Sequence, residues 1–273
     1  MGSVLLSFAQ TIAYRMKHVF WVFANLYARV FGRRSLAGFH HALVILSLHA
    51  LGYDNGWRPS FTGEDWFLSH MLKKLDPQVT LDVGASVGNY SKRLLKETYS
   101  NVYAFEPTPA AFRELKKLET NQSRMHAVET AVSNVDGTSM FYLEGERSER
   151  NSLSKEGLFE PKPYQVAVTT LDTFTKSFSR VDFIKVDTEG FEFEVFEGMQ
   201  ETLKRFRPMA VQFEFNILHL WRGHTVLALS TLLEGYELYR LLPSGLLKTH
   251  PDHFVDNIFM FANIVAIRKD LSV

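Results

Sequence analysis

Apolar residues follow two different rhythms along this chain, and the change comes near residue 62. Up to about Leu51 bulky apolar side chains crowd together, as in "HVFWVFANLYARVF", and predict helices broken at Gly32 and Gly38. From Thr62 onward short runs rich in Val, Phe and Ile predict strands: "VTLDVG", "NVYAFEP", "MHAVETAV", "VDFIKVD" and "MAVQFEF". Helical patterns separate several of them, such as "PAAFRELKKLE" and "FEFEVFEGMQETLKRF". In the latter, Phe191, Val195, Phe196, Met199 and Leu203 fall on one helical face. Alternation of this kind predicts an α/β fold, a mainly parallel sheet with helices on both faces. The closing segments "YELYRLL" and "NIFMFANIVAI" read as two strands joined by a loop, an antiparallel edge. The stretch "LGYDNGWRPSFTGEDW" is rich in Gly, Asn, Asp and Pro and reads as a linker. It divides the chain into an N-terminal helical extension, residues 1–61, and an α/β domain, residues 62–273.

Composition narrows the chemistry more than the fold. The chain has 273 residues, 46% of them hydrophobic, enough for one large α/β domain with an addition. Lys+Arg and Asp+Glu each total 30, so no basic excess points to nucleic acid. Cys is absent, which excludes disulfides and thiolate metal sites and fits a reducing, cytoplasmic setting.

The charge is unevenly spread. Met1 to Tyr53 contains no acid, while Arg15, Lys17, Arg29, Arg33 and Arg34 give +5; the total is zero, so the remainder carries −5. Arg15, Lys17 and Arg29 interrupt the apolar run, leaving no clean span of about 18 residues for a transmembrane helix. No positive charge precedes the first apolar run, as a secretory signal needs, and Leu6 stands where a myristoylation signal needs Ser or Thr. Two readings of the extension stay open. One is a helical cap on the sheet or a homodimer contact. The other is peripheral membrane contact through residues 1–53, with Phe20, Trp21, Phe23 and Tyr27 in the interface and the basic residues on anionic headgroups.

The chemistry concentrates in "TLDVGASVGNYSKRLL", Thr80 to Leu95, where a strand ends in an acid and a glycine-containing turn leads into a helix. In an open α/β sheet such a turn lies at the carboxyl ends of the strands, where ligands bind. Gly84 and Gly88 let a backbone approach closely, and the helix start favours a carboxylate or phosphate. Asp82 disfavours a diphosphate there and suits a ligand with both an ammonium and a carboxylate. Glu106, ending the next strand 22 positions after Gly84, stands where an acid meets ribose hydroxyls. An amino-acid end plus a ribose describes S-adenosyl-L-methionine. The rival is a nicotinamide cofactor and an oxidoreductase, but G-x-G-x-x-G is absent, since Ala85, Ser86 and Val87 separate the two glycines. A Walker A lysine is absent as well. A non-catalytic scaffold with the same fold is the third alternative.

Several pieces in order resemble the FkbM-type methyltransferases: "DVGASVGNYS", "AFEPTPAAFRELKK", "AVSNVDG", "NSL", "TLDTF", "FIKVDTEGFEFEVFEGM" and "RPMAVQFEF". The resemblance covers roughly Gly63 to Ala266; "DVGAS" and "TEG" stand where the family has "DVGAN" and "VEG". It implies a class I methyltransferase fold with a seven-stranded sheet, and methyl transfer to a hydroxyl of a sugar, glycan or related metabolite. It also implies cofactor contacts at Asp82, Gly84, Ala85, Gly88, Asn89, Tyr90, Glu106, Pro107, Ala131 and Ser152, with Asn151 beside the last.

A hydroxyl acceptor must lose its proton to a base or to a metal. Lys185, Asp187 and Glu189 alternate in "FIKVDTEGFE" and share one side if the strand stays extended that far. Glu214, between Phe213 and Phe215, is a carboxylate whose setting favours a raised pKa. These four are the catalytic candidates, with a structural ion pair of Lys185 and one acid as the bland alternative. Asp187 and Glu214 are also hard oxygen ligands suited to Mg²⁺. His219 is a further candidate base, and Asp172 is expected to cap the helix that follows it.

Overall fold

The computed structural model describes residues 19–55, 58–143, 153 and 162–271. The chain divides into two compact units, Met1–Leu48 and His49–Val273. In the first, residues 19–31 are helical, a 3₁₀ turn covers Arg34–Leu36, and a second helix runs over Ala37–Ala50. His40 ties the two helices together: its Nε2 donates to the carbonyl of Phe31 at 3.1 Å, capping the end of the first helix.

In the second unit the strands are β1 (Val79–Val83), β2 (Asn101–Phe105), β3 (Met125–Val128), β4 (Ala131–Val132), β5 (Gly137–Leu143) and β6 (Lys162–Thr169). β7 (Phe183–Val186), β8 (Ala210–Phe215), β9 (Tyr236–Leu242), β10 (Gly245–Lys248) and β11 (Ala262–Arg268) follow. The main sheet has eight strands in the order β10-β9-β11-β8-β7-β1-β2-β3. β3, β2, β1, β7 and β8 pair in parallel, and β11 runs antiparallel between β8 and β9. The expected seven strands are present, and the hairpin strand β10 adds an eighth at the edge. The chain steps outward from β1 through β2 to β3, then returns to the other side of β1 with β7. The switch point therefore falls between β1 and β7.

Burial follows the pattern of the sequence. Val195, Phe196, Met199 and Leu203 all enter the core, while Phe191, just before the helix, stays partly exposed outside it. The single helix expected around them is two, Glu192–Glu197 and Gln200–Phe206. At the break sits Gly198, where a Cβ would come within 2.1 Å of the Ser133 carbonyl oxygen. Asp172 caps the second of these helices rather than its own: its carboxylate accepts from the N–H groups of Glu201 and Thr202, at 3.1 and 2.6 Å. Thr170 caps the helix that contains Asp172.

The stretch expected to be a linker is built into the α/β unit. Tyr53 is buried, with Arg240 of β9 lying 3.9 Å above its ring. That guanidinium, itself 1% exposed, donates to the Leu51 carbonyl at 2.7 Å and pairs with Asp256. Glu64 is buried against Arg93 and Gln212, at 2.9 and 3.1 Å. Polar residues in this stretch mark buried partners, and composition alone does not distinguish those from solvated ones.

Candidate active site

A cavity opens at the carboxyl ends of β1, β2 and β7. It is lined by Val83, Gly84, Ser86, Phe105, Glu106, Pro107, Thr108 and Ala111, with Thr130, Ala131, Val132, Phe141 and Leu153 opposite and Asp187, Thr188 and Glu189 alongside. Of the expected cofactor residues, Gly84, Glu106, Pro107 and Ala131 line it. Asp82, Ala85, Gly88, Asn89 and Tyr90 do not reach the lining. Asn151 and Ser152 lie outside the described residues.

At both glycines of the turn a side chain would collide with protein atoms. Gly84 has φ +80°, and a Cβ there would stand 1.7 Å from the Asp187 carbonyl oxygen. Gly88, with φ +79°, faces Leu115 and Leu118 of the helix Pro109–Asn121, at 2.8 and 3.2 Å from a Cβ. Two cavity residues other than glycine also take left-handed backbone, Ser86 at φ +50° and Glu189 at φ +54°. Such conformations are costly and concentrate at sites under functional constraint.

Glu106 explains the turn at Ser86. Its Oε2 accepts from the Ser86 N–H at 3.0 Å, while its Oε1 accepts from the Thr108 N–H at 2.8 Å and hydroxyl at 2.6 Å. Burial raises its pKa, and the bonds from Thr108 and Ser86 hold it down. A carboxylate has about four acceptor sites. Three are already engaged, so the side chain can take one ribose hydroxyl as it stands, not the two that an unengaged acid would hold.

Asp82 is sequestered beneath the loop. It pairs with Lys185 across the β1–β7 register and accepts from the Ser91 hydroxyl at 2.5 Å. Its Oδ1 is buried without a hydrogen-bond partner among the described residues. Burial raises its pKa, opposed by the Lys185 charge and the Ser91 bond.

Lys185 is 4% exposed and donates to Asp187 Oδ2 at 2.7 Å, with the Tyr90 ring 4.8 Å from its Nζ. Burial opposes its charge, but Asp187, Asp82 and Glu64 outweigh that and raise its pKa. The expected alternation stops early: β7 ends at Val186, and the turn at Glu189 breaks the extended run. Lys185 and Asp187 still meet, and Asp187 with Glu189 faces the cavity. Glu214, one strand further on β8, accepts from Asn216 Nδ2 at 2.5 Å. Burial and the charge of Asp187 push its carboxyl well above the usual range, against the pull of Asn216.

Among the described residues no group of three or more His, Cys, Asp or Glu is placed to hold a metal. Lys185 already supplies the cation beside Asp187. The arrangement does not fit the Mg²⁺ site expected at Asp187 and Glu214. His219 is fully buried: its Nδ1 accepts from the Asn216 N–H at 3.2 Å, and its Nε2 lies 3.0 Å from the buried carboxylate of Glu192. It completes a capping box and is a structural residue.

Sequence reasoning missed the chain that backs Lys185. Tyr90 donates to Gln212 at 2.5 Å, Gln212 to Glu64 at 3.1 Å, and Arg93 grips both Glu64 and Asp65. The one available signal was a Gln inside the apolar strand "AVQFEF".

The parallel sheet with its switch at β1/β7, the reversed strand β11 and the acid-lined cavity define a class I, S-adenosylmethionine-dependent methyltransferase. Residues 82–241 match the methyltransferase FkbM domain, more than half of the chain, and the protein belongs to that family. It is 28% identical over 193 residues to the 2-O-methyltransferase NoeI of Sinorhizobium fredii (strain NBRC 101917 / NGR234), covering 64% of this chain and 78% of that one. Among solved structures it is similar to an O-methyltransferase from Bacillus cereus in complex with SAH, with TM-score 0.42, 11% identity and coverage of 89% and 96% of the two chains. An rRNA methylase from Streptococcus thermophilus gives TM-score 0.41, 11% identity and coverage of 75% and 93%.

Proposed function

We propose that this protein is an O-methyltransferase that methylates a hydroxyl of a sugar, glycan or related metabolite. The observation that carries the reading is Glu214. It is a carboxyl at the end of β8, one strand from Asp187, and burial together with that neighbour's charge raises its pKa well above the usual carboxylate range. A carboxylate made more basic in this way suits proton removal from an alcohol.

S-adenosylmethionine supplies a methyl group on a positively charged sulfur. The apolar walls at Val83, Phe105, Val132 and Phe141 suit its adenine, and the remaining acceptor site of Glu106 suits a ribose hydroxyl. Asp187 holds Lys185 in place and keeps the pKa of Glu214 high. Glu214 then takes the acceptor's proton. The name of the relative NoeI supports oxygen as the accepting atom. Family membership sets the nicotinamide alternative aside.

The test is incubation with S-adenosylmethionine and a panel of hydroxylated sugars, read by mass spectrometry for one added methylene. Transfer to oxygen, lost in Glu214→Gln with S-adenosylhomocysteine affinity retained, is expected. Methylation at nitrogen or carbon sinks the reading.

A further inference from the structure

The helical pair of the first unit is mostly apolar, with Asn25 and Arg29 the polar residues of its first helix and His40, His41, Ser47 and His49 those of its second. Leu43, Val44, Ile45 and Leu46 are consecutive in the helix Ala37–Ala50, and at 100° per residue they cover most of a turn. No residue of that helix is buried, and it contains no Asp, Glu, Lys or Arg. Phe20, Trp21 and Phe23 on the preceding helix are 64%, 61% and 66% exposed, and Leu46 is 66% exposed. A helix docking on one protein surface needs one apolar stripe, and its other face is polar. Their few polar residues do not make up a full polar face, so a surface on one side alone leaves much of the apolar area in water. A medium that surrounds them is the better fit.

Charge identifies the medium. Residues 1–53 contain no Asp or Glu. Arg29, Arg33 and Arg34, all exposed, cluster where the first helix turns into the second. Basic residues at a turn with apolar arms beside them match the layering of a lipid interface, anionic headgroups above acyl chains. No helix among the described residues is long and apolar enough to cross a membrane. The helix Ala37–Ala50 has 14 residues, about 21 Å, against a hydrocarbon core of about 30 Å.

We infer that the segment 19–50 is a monotopic anchor, seating the protein on an anionic lipid surface with its aromatic and aliphatic side chains in the acyl boundary and Arg29, Arg33 and Arg34 among the headgroups. The inference is independent of which acceptor is methylated. It commits to lipid rather than to a second copy of the chain, because two such helix pairs in contact would juxtapose basic residues with no acid in the segment to answer them.

The experiment is co-sedimentation of the full-length protein with vesicles of phosphatidylcholine, alone or with added phosphatidylglycerol. Binding is expected to the anionic vesicles and to weaken as salt rises. Replacing Arg29, Arg33 and Arg34 together by Gln is expected to reduce it, on the order of fivefold per arginine. Ile45→Ser with Leu46→Ser, at exposed positions that leave folding intact, is expected to weaken binding to both kinds of vesicle. Circular dichroism checks that fold. Failure to sediment with anionic vesicles at low salt overturns the inference. So does binding indifferent to both sets of substitutions, or a lipid-free dimer that the apolar substitutions dissociate while vesicles are ignored.

Discussion

Gly84 and Asp187 meet through their backbones: a Cβ on residue 84 would stand 1.7 Å from the main-chain oxygen of Asp187. The loops after β1 and β7 shape the cavity together, and they touch only because residue 84 has no side chain. Gly84→Ala is therefore expected to destabilise the whole α/β unit by about 3 kcal/mol or more, combining overpacking with a left-handed backbone. Thermal or urea unfolding measures it. A variant that unfolds like wild type and loses only cofactor affinity would contradict this account.

Glu106→Ala should act differently. Its carboxylate is the acceptor available to a ribose hydroxyl, and it also fixes the Ser86 turn. Affinity for S-adenosylhomocysteine is expected to fall roughly 10- to 100-fold, the range for losing a hydrogen bond to a charged group. Titration calorimetry reads it directly, and wild-type affinity would remove Glu106 from the ribose site.

The pH dependence of turnover should report Glu214. Its carboxyl is held well above the usual range, so activity is expected to fall as acid protonates it, with a limb above that range. Glu214→Gln is expected to lower turnover about 10²- to 10⁴-fold. Asp187→Asn removes a neighbouring negative charge and frees Lys185, so it is expected to shift the limb to lower pH. An unmoved limb in Asp187→Asn means that another group is titrating.

Stability provides a second reading of the same residue. A carboxyl with a raised folded pKa contributes stability below its unfolded pKa, and that contribution is lost as pH rises through the folded value. Glu214→Gln is therefore expected to melt higher than wild type near neutral pH, with the difference vanishing below the ordinary carboxylate range. Scanning calorimetry at two pH values decides it; an equal gap at both would rule out titration as the cause.

Arg93 holds the acid end of the chain behind Lys185. Arg93→Ala leaves Glu64 buried beside Gln212 without its cation. Loss of one partner of a buried pair is expected to cost about 3 kcal/mol here, the lower end for such pairs, since Arg93 keeps some exposure. Denaturant unfolding tests it, and Gln212→Leu alone should cost less because no charge is stranded.

The parallel sheet was legible because its strands are apolar runs separated by one-faced helices, a signal carried by neighbours in sequence. The cavity acids Glu106, Asp187 and Glu189 were legible for a related reason: each follows a strand, and strand ends meet in this fold. What escaped depends on distant partners. β5 and β6, with the wall they supply at Phe141, pair across a long connection, and "GTSMFYL" mixes polar and apolar residues without a clear rhythm. "MHAVETAV" reads as one strand but splits into β3 and β4, which join different sheets. Asp172 was legible as a cap, but its helix begins 28 residues later, at Gln200. The reach of Glu64 to Gln212 has no local signature at all.

Arg240 sets where this module can be cut. The span that matches the family starts at residue 82, yet the guanidinium at the heart of β9 is solvated by the Leu51 carbonyl, the Tyr53 ring and Asp256. A fragment trimmed to residue 62 would keep all of the strands and the cavity acids while leaving that buried cation short of its oxygen and its aromatic face. The smallest piece that can stand alone thus begins upstream of Leu51, and the border drawn by shared ancestry lies inside the border drawn by dielectric.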